Sequence, residues 1–217
     1  LVAILSGDFL LSRASELAAS LGTEVAALLA NTIGRLCEGQ VGELKTAFSV
    51  DRSISAYESS INGKTASLLS TAARIGGIVA GLPRNQIDAL TAYGDNYGMA
   101  FQLIDDVLDL VATDEELGKP AGNDLVEGVY TLPVIRALAD REIGAELGPL
   151  LGGGIDMPTR DKAREMVRSS DGIQYTIDRA RDYIARGVDA MGALPANPAR
   201  DGMTKLGDVL LESIPRR

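Results

Sequence analysis

The chain has no histidine and no tryptophan, one cysteine, three phenylalanines and six tyrosines in 217 residues. Without histidine there is no Ser-His-Asp or Cys-His nucleophile system, no imidazole base and no His-ligated metal. The lone cysteine, Cys37, excludes an intrachain disulfide and a Cys-rich zinc centre, and is expected to be a small buried hydrophobe. Any metal must therefore sit among oxygen ligands, which suits Mg²⁺, Mn²⁺ or Ca²⁺. No apolar run approaches the ~20 residues needed to span a bilayer, and no signal-peptide pattern is present. A cytoplasmic chain without a transmembrane segment is expected. Basic residues are scarce too: 21 Lys and Arg face 30 Asp and Glu, for a net charge of −9. That argues against a nucleic-acid partner, which requires a basic footprint. It leaves room for an anionic ligand, because bound cations or a few lysines reverse the sign locally.

What the chain does contain is helical periodicity. Phe9, Leu10, Ala14, Leu17 and Leu21 recur at helical spacing, and Gly22 follows as a stop. Thr23 opens a second run through Val25, Leu28, Leu29, Ile33 and Leu36. Ser53 starts a third, which Asn62-Gly63 interrupts and Lys64 resumes. Pro83 precedes a long helix reaching Leu108. Residues 113–124 read as a polar loop, residues 152–154 as a linker, and Thr131-Leu132-Pro133 as a helix start. Three more helices are expected near 159–169, 173–191 and 198–214. No segment alternates with period two between hairpin turns. The fold class expected is all-α, one domain over residues 1–217. Gly22, Gly34 and Gly42 are expected to let the first two helices approach a neighbour closely. The apolar opening, residues 1–5, has no cap or polar lead-in, as though the chain starts inside an element.

The strongest chemical signal is Phe101-Gln102-Leu103-Ile104-Asp105-Asp106-Val107-Leu108-Asp109. Asp105, Asp106 and Asp109 fall at spacings that bring them to one side of a helix, and Gln102 joins them. Two carboxylates about 5 Å apart repel by about 3 kcal/mol at an effective dielectric of about 20. Three acids so placed, amid apolar neighbours, call for a divalent cation. Mg²⁺ in such a site keeps several waters and bridges to phosphate oxygens. Cations should then appear to meet the phosphates: Lys64, held at a helix interruption beside Thr65, and Lys119, in the Gly118–Gly122 loop. The Gly118-Lys119 pair is not a Walker loop, since the upstream Gly and the following Ser/Thr are missing.

Gly7-Asp8-Phe9-Leu10-Leu11-Ser12-Arg13-Ala14, Gly39-Gln40 with Glu43-Leu44, Lys64-Thr65-Ala66, the Phe101 to Asp109 run, Gly118-Lys119-Pro120 with Asp124, and Thr131-Leu132-Pro133 occur in that order. Together they resemble the trans-type polyprenyl diphosphate synthases. The resemblance implies helices around a deep central cavity, and Mg²⁺-dependent condensation of isopentenyl diphosphate with an allylic diphosphate. It implies that Asp105, Asp106 and Asp109 are the family's second aspartate-rich motif and hold the metal. It further implies that Lys64, Thr65, Gln102 and Lys119 contact the allylic diphosphate, that Phe101 lines the pocket near the isopentenyl group, and that the protein is a homodimer.

Two departures stand out. The family's first aspartate-rich motif precedes the Gly7-Asp8 helix, and this sequence opens at Leu1. The chain therefore reads as a C-terminal portion whose N-terminal helices are missing, and alone it is expected to lack condensation activity. Val129 also stands where the family often has a lysine. Two other readings remain open: a non-catalytic or regulatory subunit of a heteromeric synthase, and a terpene cyclase. The cyclase reading lacks the serine that its metal motif needs after Asn123-Asp124.

Overall fold

A helix of 28 residues, α5 (Arg84–Val111), forms the axis of the computed structural model, which describes residues 1–118 and 120–215. Pro83 fixes the backbone just before it, and Ile87, Tyr93, Ala100, Leu103, Ile104 and Val107 supply a buried face at helical spacing. Leu103 and Ile104 are fully buried, each worth roughly 1.5–3 kcal/mol relative to exposure. Around α5 pack α4 (Ser67–Val79) and α11 (Gly172–Ala190).

The remaining α-helices are α1 (Val2–Ser20), α2 (Thr23–Lys45), α3 (Ile54–Ile61), α6 (Asp114–Leu117), α7 (Asn123–Glu127), α8 (Leu132–Ala139), α9 (Arg141–Leu147), α10 (Met157–Ser169) and α12 (Pro198–Glu212). Between α3 and α4 lies a π turn, Asn62–Ala66. Among the described residues there is no strand, and no helix is long and apolar enough to cross a membrane. The all-α expectation holds.

The core has two parts. Tyr57, Ile61, Met99, Leu103 and Leu132 join α3, α5 and α8, with Ala180 of α11. Leu110, Leu125, Tyr130, Val134 and Leu147 form the second part under α10. α1 is different. It packs against α2 and buries only Ala18, while Phe9 is 65% and Leu17 61% exposed.

Local signals account for most boundaries. Ser53 caps α3 by accepting from Ala56 N at 3.1 Å, and Gly22 takes φ +108° after α1. Two expectations need correction. Residues 113–124 are not one loop. Thr113 and Glu116 form a reciprocal capping box that starts α6, and α7 begins at Asn123. The helix opened by Thr131 runs to Ala139, where the Asp140 carboxylate accepts from Glu142 N and Ile143 N, both at 2.9 Å, and caps α9. Cys37 is exposed, since its position on α2 faces away from α3 and the π turn.

Candidate functional site

The site begins with two glycines. A Cβ on Gly39 of α2 would lie 2.7 Å from the main-chain nitrogen of Lys64, and one on Gly63 would lie 2.7 Å from the Arg35 carbonyl. Only hydrogen fits at either position, so α2 meets the π turn backbone to backbone. Gly98 of α5 lies equally close to Ala66. Within the chain Gly22 and Gly34 face open space, and Gly42 makes only ordinary contact with the Ser60 hydroxyl.

The π turn widens where the Ser67 N–H reaches back to the Asn62 carbonyl. The Asn62 side chain steadies it, accepting from Arg35 Nη2 at 2.7 Å and donating to Asp95 Oδ1 at 3.2 Å. This wedged turn presents Lys64 to a cleft of about 270 Å³ and sets Thr65 against Gln102 on its wall.

Glu43, Tyr57, Lys64, Gln102, Asp105 and Asp106 line that cleft, with Asp124, Glu127 and Thr131 on the facing wall. Lys64 Nζ donates to Glu43 Oε1 at 2.8 Å, and Gln40 Nε2 donates to the same oxygen at 3.1 Å. Thr65 Oγ1 donates to Gln102 Oε1 at 2.7 Å, and Gln102 Nε2 donates to Asp106 Oδ1 at 2.9 Å. The Tyr57 hydroxyl donates to the other Asp106 oxygen. Both Asp106 oxygens are thus engaged from behind, whereas Asp105 is exposed.

The electrostatics follow from burial. Desolvation first, then the charge of Asp124, pushes Asp106 well above the ordinary carboxylate range, against the lowering by Tyr57 and Gln102. Burial and then Asp106 push the Tyr57 phenol up as well. Five acidic side chains and one lysine line the cleft among the described residues. An oxygen-only donor set with surplus negative charge fits a hard divalent cation. No three of the described acidic or thiol groups converge to hold an ion unaided. An ion here would draw further oxygens from water or ligand, as Mg²⁺ commonly does.

The expected site residues fare differently. The structure brings Lys64, Gln102, Asp105 and Asp106 to one cleft, and Thr65 reaches it through Gln102. Asp109 is buried and does not line the cleft. Its carbonyl accepts from Gly122 N at 2.8 Å and its Oδ2 faces Asp124 N at 3.4 Å, so it anchors the loop leading to Asp124. Phe101 is half-exposed and lies off the cleft. Lys119 lies outside the described residues. Val129 stands on the wall where the resembled family often has a lysine.

Sequence reading missed Tyr57 and also the cationic support beneath α5. Arg168 of α10 donates from Nε to the Leu110 carbonyl at 2.8 Å and from Nη2 to Val111 at 2.8 Å. Arg164 donates from Nε to Leu110 at 2.6 Å and also to the Ala112 carbonyl. The last carbonyls of a helix lack intrahelical partners and carry the negative end of its dipole. Two guanidiniums there offset a dipole that would disfavour the acids above. The spacing of Arg164 and Arg168 by four was visible in the sequence, but their target was not.

The polyprenyl synthetase family profile matches residues 1–165. The chain belongs to this family. Among curated polyprenyl synthetase relatives, a nonaprenyl diphosphate synthase of Mycobacterium tuberculosis is 38% identical over 212 residues, which are 95% of this chain and 62% of the relative. Component 2 of a heptaprenyl diphosphate synthase from Geobacillus stearothermophilus is 34% identical over 199 residues, 91% of this chain and 62% of the relative. The chain thus spans less than two thirds of either. A Caulobacter crescentus polyprenyl synthase, crystallised with calcium and isoprenyl diphosphate, superposes with a TM-score of 0.91 at 34% identity. It covers 96% of this chain and 65% of that one. A Rhodobacter capsulatus decaprenyl diphosphate synthase gives a TM-score of 0.87 at 33% identity, covering 98% of this chain and 67% of that one.

Proposed function

We propose that the full-length protein is a prenyltransferase that condenses isopentenyl diphosphate with an allylic diphosphate and releases diphosphate. The observation that carries this reading is the single cleft where an acid-rich wall, Lys64 and the Thr65–Gln102–Asp106 hydrogen-bond chain meet. Asp105, open to the cleft, would hold Mg²⁺ or Mn²⁺ with Asp106 beside it, while Asp109 would act from behind by holding the loop that carries Asp124. The ion, when bound, neutralises the diphosphate and favours its departure.

The chain's own residues do the rest. Lys64 turns from Glu43 to a diphosphate oxygen and meets the charge that grows on the leaving group. Gln102, braced by Thr65 and Asp106, orients the same group. The allylic C–O bond breaks with its electron pair leaving on diphosphate. The double bond of isopentenyl diphosphate then supplies the electrons of the new C–C bond. The departing diphosphate takes the proton lost from the adjacent carbon, so the absence of histidine is no obstacle. Apolar groups around the reacting carbons keep water from the allylic cation.

A homodimer is part of this reading. The bare apolar face of α1, including Phe9, Leu10 and Leu17, supports it as a contact with a second copy. The test incubates full-length protein with Mg²⁺, farnesyl diphosphate and labelled isopentenyl diphosphate. Longer prenyl diphosphates and a two-subunit mass by light scattering are expected. No elongation with any of several allylic diphosphates would overturn the proposed reaction, and a monomeric mass would overturn the dimer.

A further inference from the structure

Arg52 stands in the corner between α2 and α3 and is 5% exposed. A guanidinium taken out of water is costly unless its charge and donors are met. Only Nη1 has a hydrogen bond, to the Tyr130 carbonyl at 3.0 Å, while Nε and Nη2 are buried without one. The charge is met by a ring and two acids instead. The guanidinium lies 5.4 Å from the centroid of the Tyr57 ring, and Glu43 and Asp106 contribute favourable charge.

An apolar side chain of similar volume would fill this corner without leaving two donors unmet, though it would take away the charge that faces Glu43 and Asp106. Packing alone therefore gives no account of the arginine. Its contacts do. Tyr57 carries the hydroxyl that grips Asp106. The Tyr130 carbonyl belongs to the segment that delivers Val129 and Thr131 to the cleft. That segment is also tied to the residues before Arg52, because Phe48 N donates to the Gly128 carbonyl at 2.8 Å.

We propose that Arg52 is a positioning residue for the cleft: from behind its wall, it keeps Tyr57 aimed at Asp106 and holds the Val129–Thr131 wall in register. It acts through Tyr57 and the Tyr130 carbonyl and touches no reacting atom. A neutral side chain would release the phenol, and Asp106 would then lose the donor that fixes it beside Asp105. The proposal rests on the diphosphate-site reading given above.

The test compares Arg52→Met, Arg52→Lys, Tyr57→Phe and the Met/Phe double variant in the full-length protein. In a crystal structure of Arg52→Met, the Tyr57 hydroxyl is expected to leave Asp106. Calorimetry with Mg²⁺ and inorganic diphosphate should show about tenfold weaker binding, and KM for the allylic substrate should rise more than kcat per folded molecule falls. The double variant should bind no more weakly than the worse single one, because both changes break one connection. Arg52→Lys keeps the charge but cannot both stack on Tyr57 and bond Tyr130, so it should restore only part of the affinity. If Arg52→Met does not fold, Arg52→Lys carries the same comparison.

A merely structural role would lower the melting temperature and leave diphosphate affinity unchanged. That result, a Tyr57 hydroxyl still on Asp106, or additive losses in the double variant would each overturn the proposal. A wild-type protein that binds Mg²⁺ and diphosphate but elongates nothing would overturn the proposed reaction instead. The binding and crystallographic comparisons would still decide the role of Arg52.

Discussion

The Lys64 ammonium rests 2.8 Å from the Glu43 carboxylate, so the cleft's lysine is already paired when a ligand arrives. A diphosphate reaching this ammonium would share its three donors with Glu43 and meet that carboxylate's like charge. Glu43→Gln should therefore raise the affinity for metal-free inorganic diphosphate several-fold, by removing both a competitor and a like charge. Calorimetry without metal measures this directly. Unchanged or weaker binding would show that Glu43 holds the lysine in place and does not compete for it.

Asp105→Ala should cut turnover of the full-length enzyme by about a hundredfold or more, as expected for loss of a metal ligand. The side chain is exposed, so the fold should be intact. Removing one like charge from a metal-free acidic cluster should, if anything, raise the melting temperature slightly. Wild-type turnover at saturating Mg²⁺ would contradict the assignment.

Gly63→Ala tests the backbone contact beneath Lys64. The added methyl would meet the Arg35 carbonyl at 2.7 Å and Gly39 Cα at 3.0 Å, and neither is a side chain that can swing away. Overpacking of this kind costs roughly 3 kcal/mol. Urea denaturation should register the loss, with weaker diphosphate binding in the folded fraction as Lys64 shifts. A variant as stable as wild type would show that α2 and the π turn separate easily.

Asp106 sets a pH dependence. Its folded value is raised, chiefly by burial and then by Asp124. The folded state therefore holds this proton more tightly than the unfolded chain does. That contribution is complete below the ordinary aspartate range, about pH 4, and is lost as pH rises through the raised folded value. Metal-free protein should lose stability across that interval, and Asp106→Asn should lose less. Urea midpoints for both proteins over a pH series give the comparison, and parallel profiles would remove the assignment to Asp106.

Arg164 and Arg168 should matter to stability out of proportion to their place on a surface helix. Replacing either by Met strands carbonyls at the end of α5, at a cost of roughly 1–3 kcal/mol each. Because either guanidinium alone still donates to the Leu110 carbonyl, which is stranded only when both are gone, the double variant should lose more than the sum of the singles. Chemical denaturation of the three variants measures this, and a fully additive pair would show that the two guanidiniums work separately.

Much of this was legible along the chain. Ser53, Pro83 and Gly22 act within one turn of where they sit, and the Phe101 to Asp109 run names a helix face by spacing alone. Thr113-x-x-Glu116 and Asp140 were equally local. Gly118, Pro120 and Gly122 outweighed the first, and the second was not read as a cap. What no local pattern carried was partnership at a distance. Tyr57 and Asp106 are 49 residues apart, and Arg52 and Tyr130 are 78 apart. The contacts of Gly39 and Gly63 were hidden for the same reason. Any glycine permits close approach, but only the face opposite decides which of them use it within the chain.

The turn at Asn62–Ala66 holds one residue more than an α-helical turn would. Each residue of an α-helix advances the side-chain direction by about 100°. Deleting any one residue there would let the backbone relax to ordinary helix and swing Lys64 and Thr65 out of phase with either α3 or α4. Both flanking helices would survive the deletion with every other residue unchanged. The segment is therefore constrained in length before it is constrained in composition, and a one-codon deletion should be harder to tolerate than most substitutions within it.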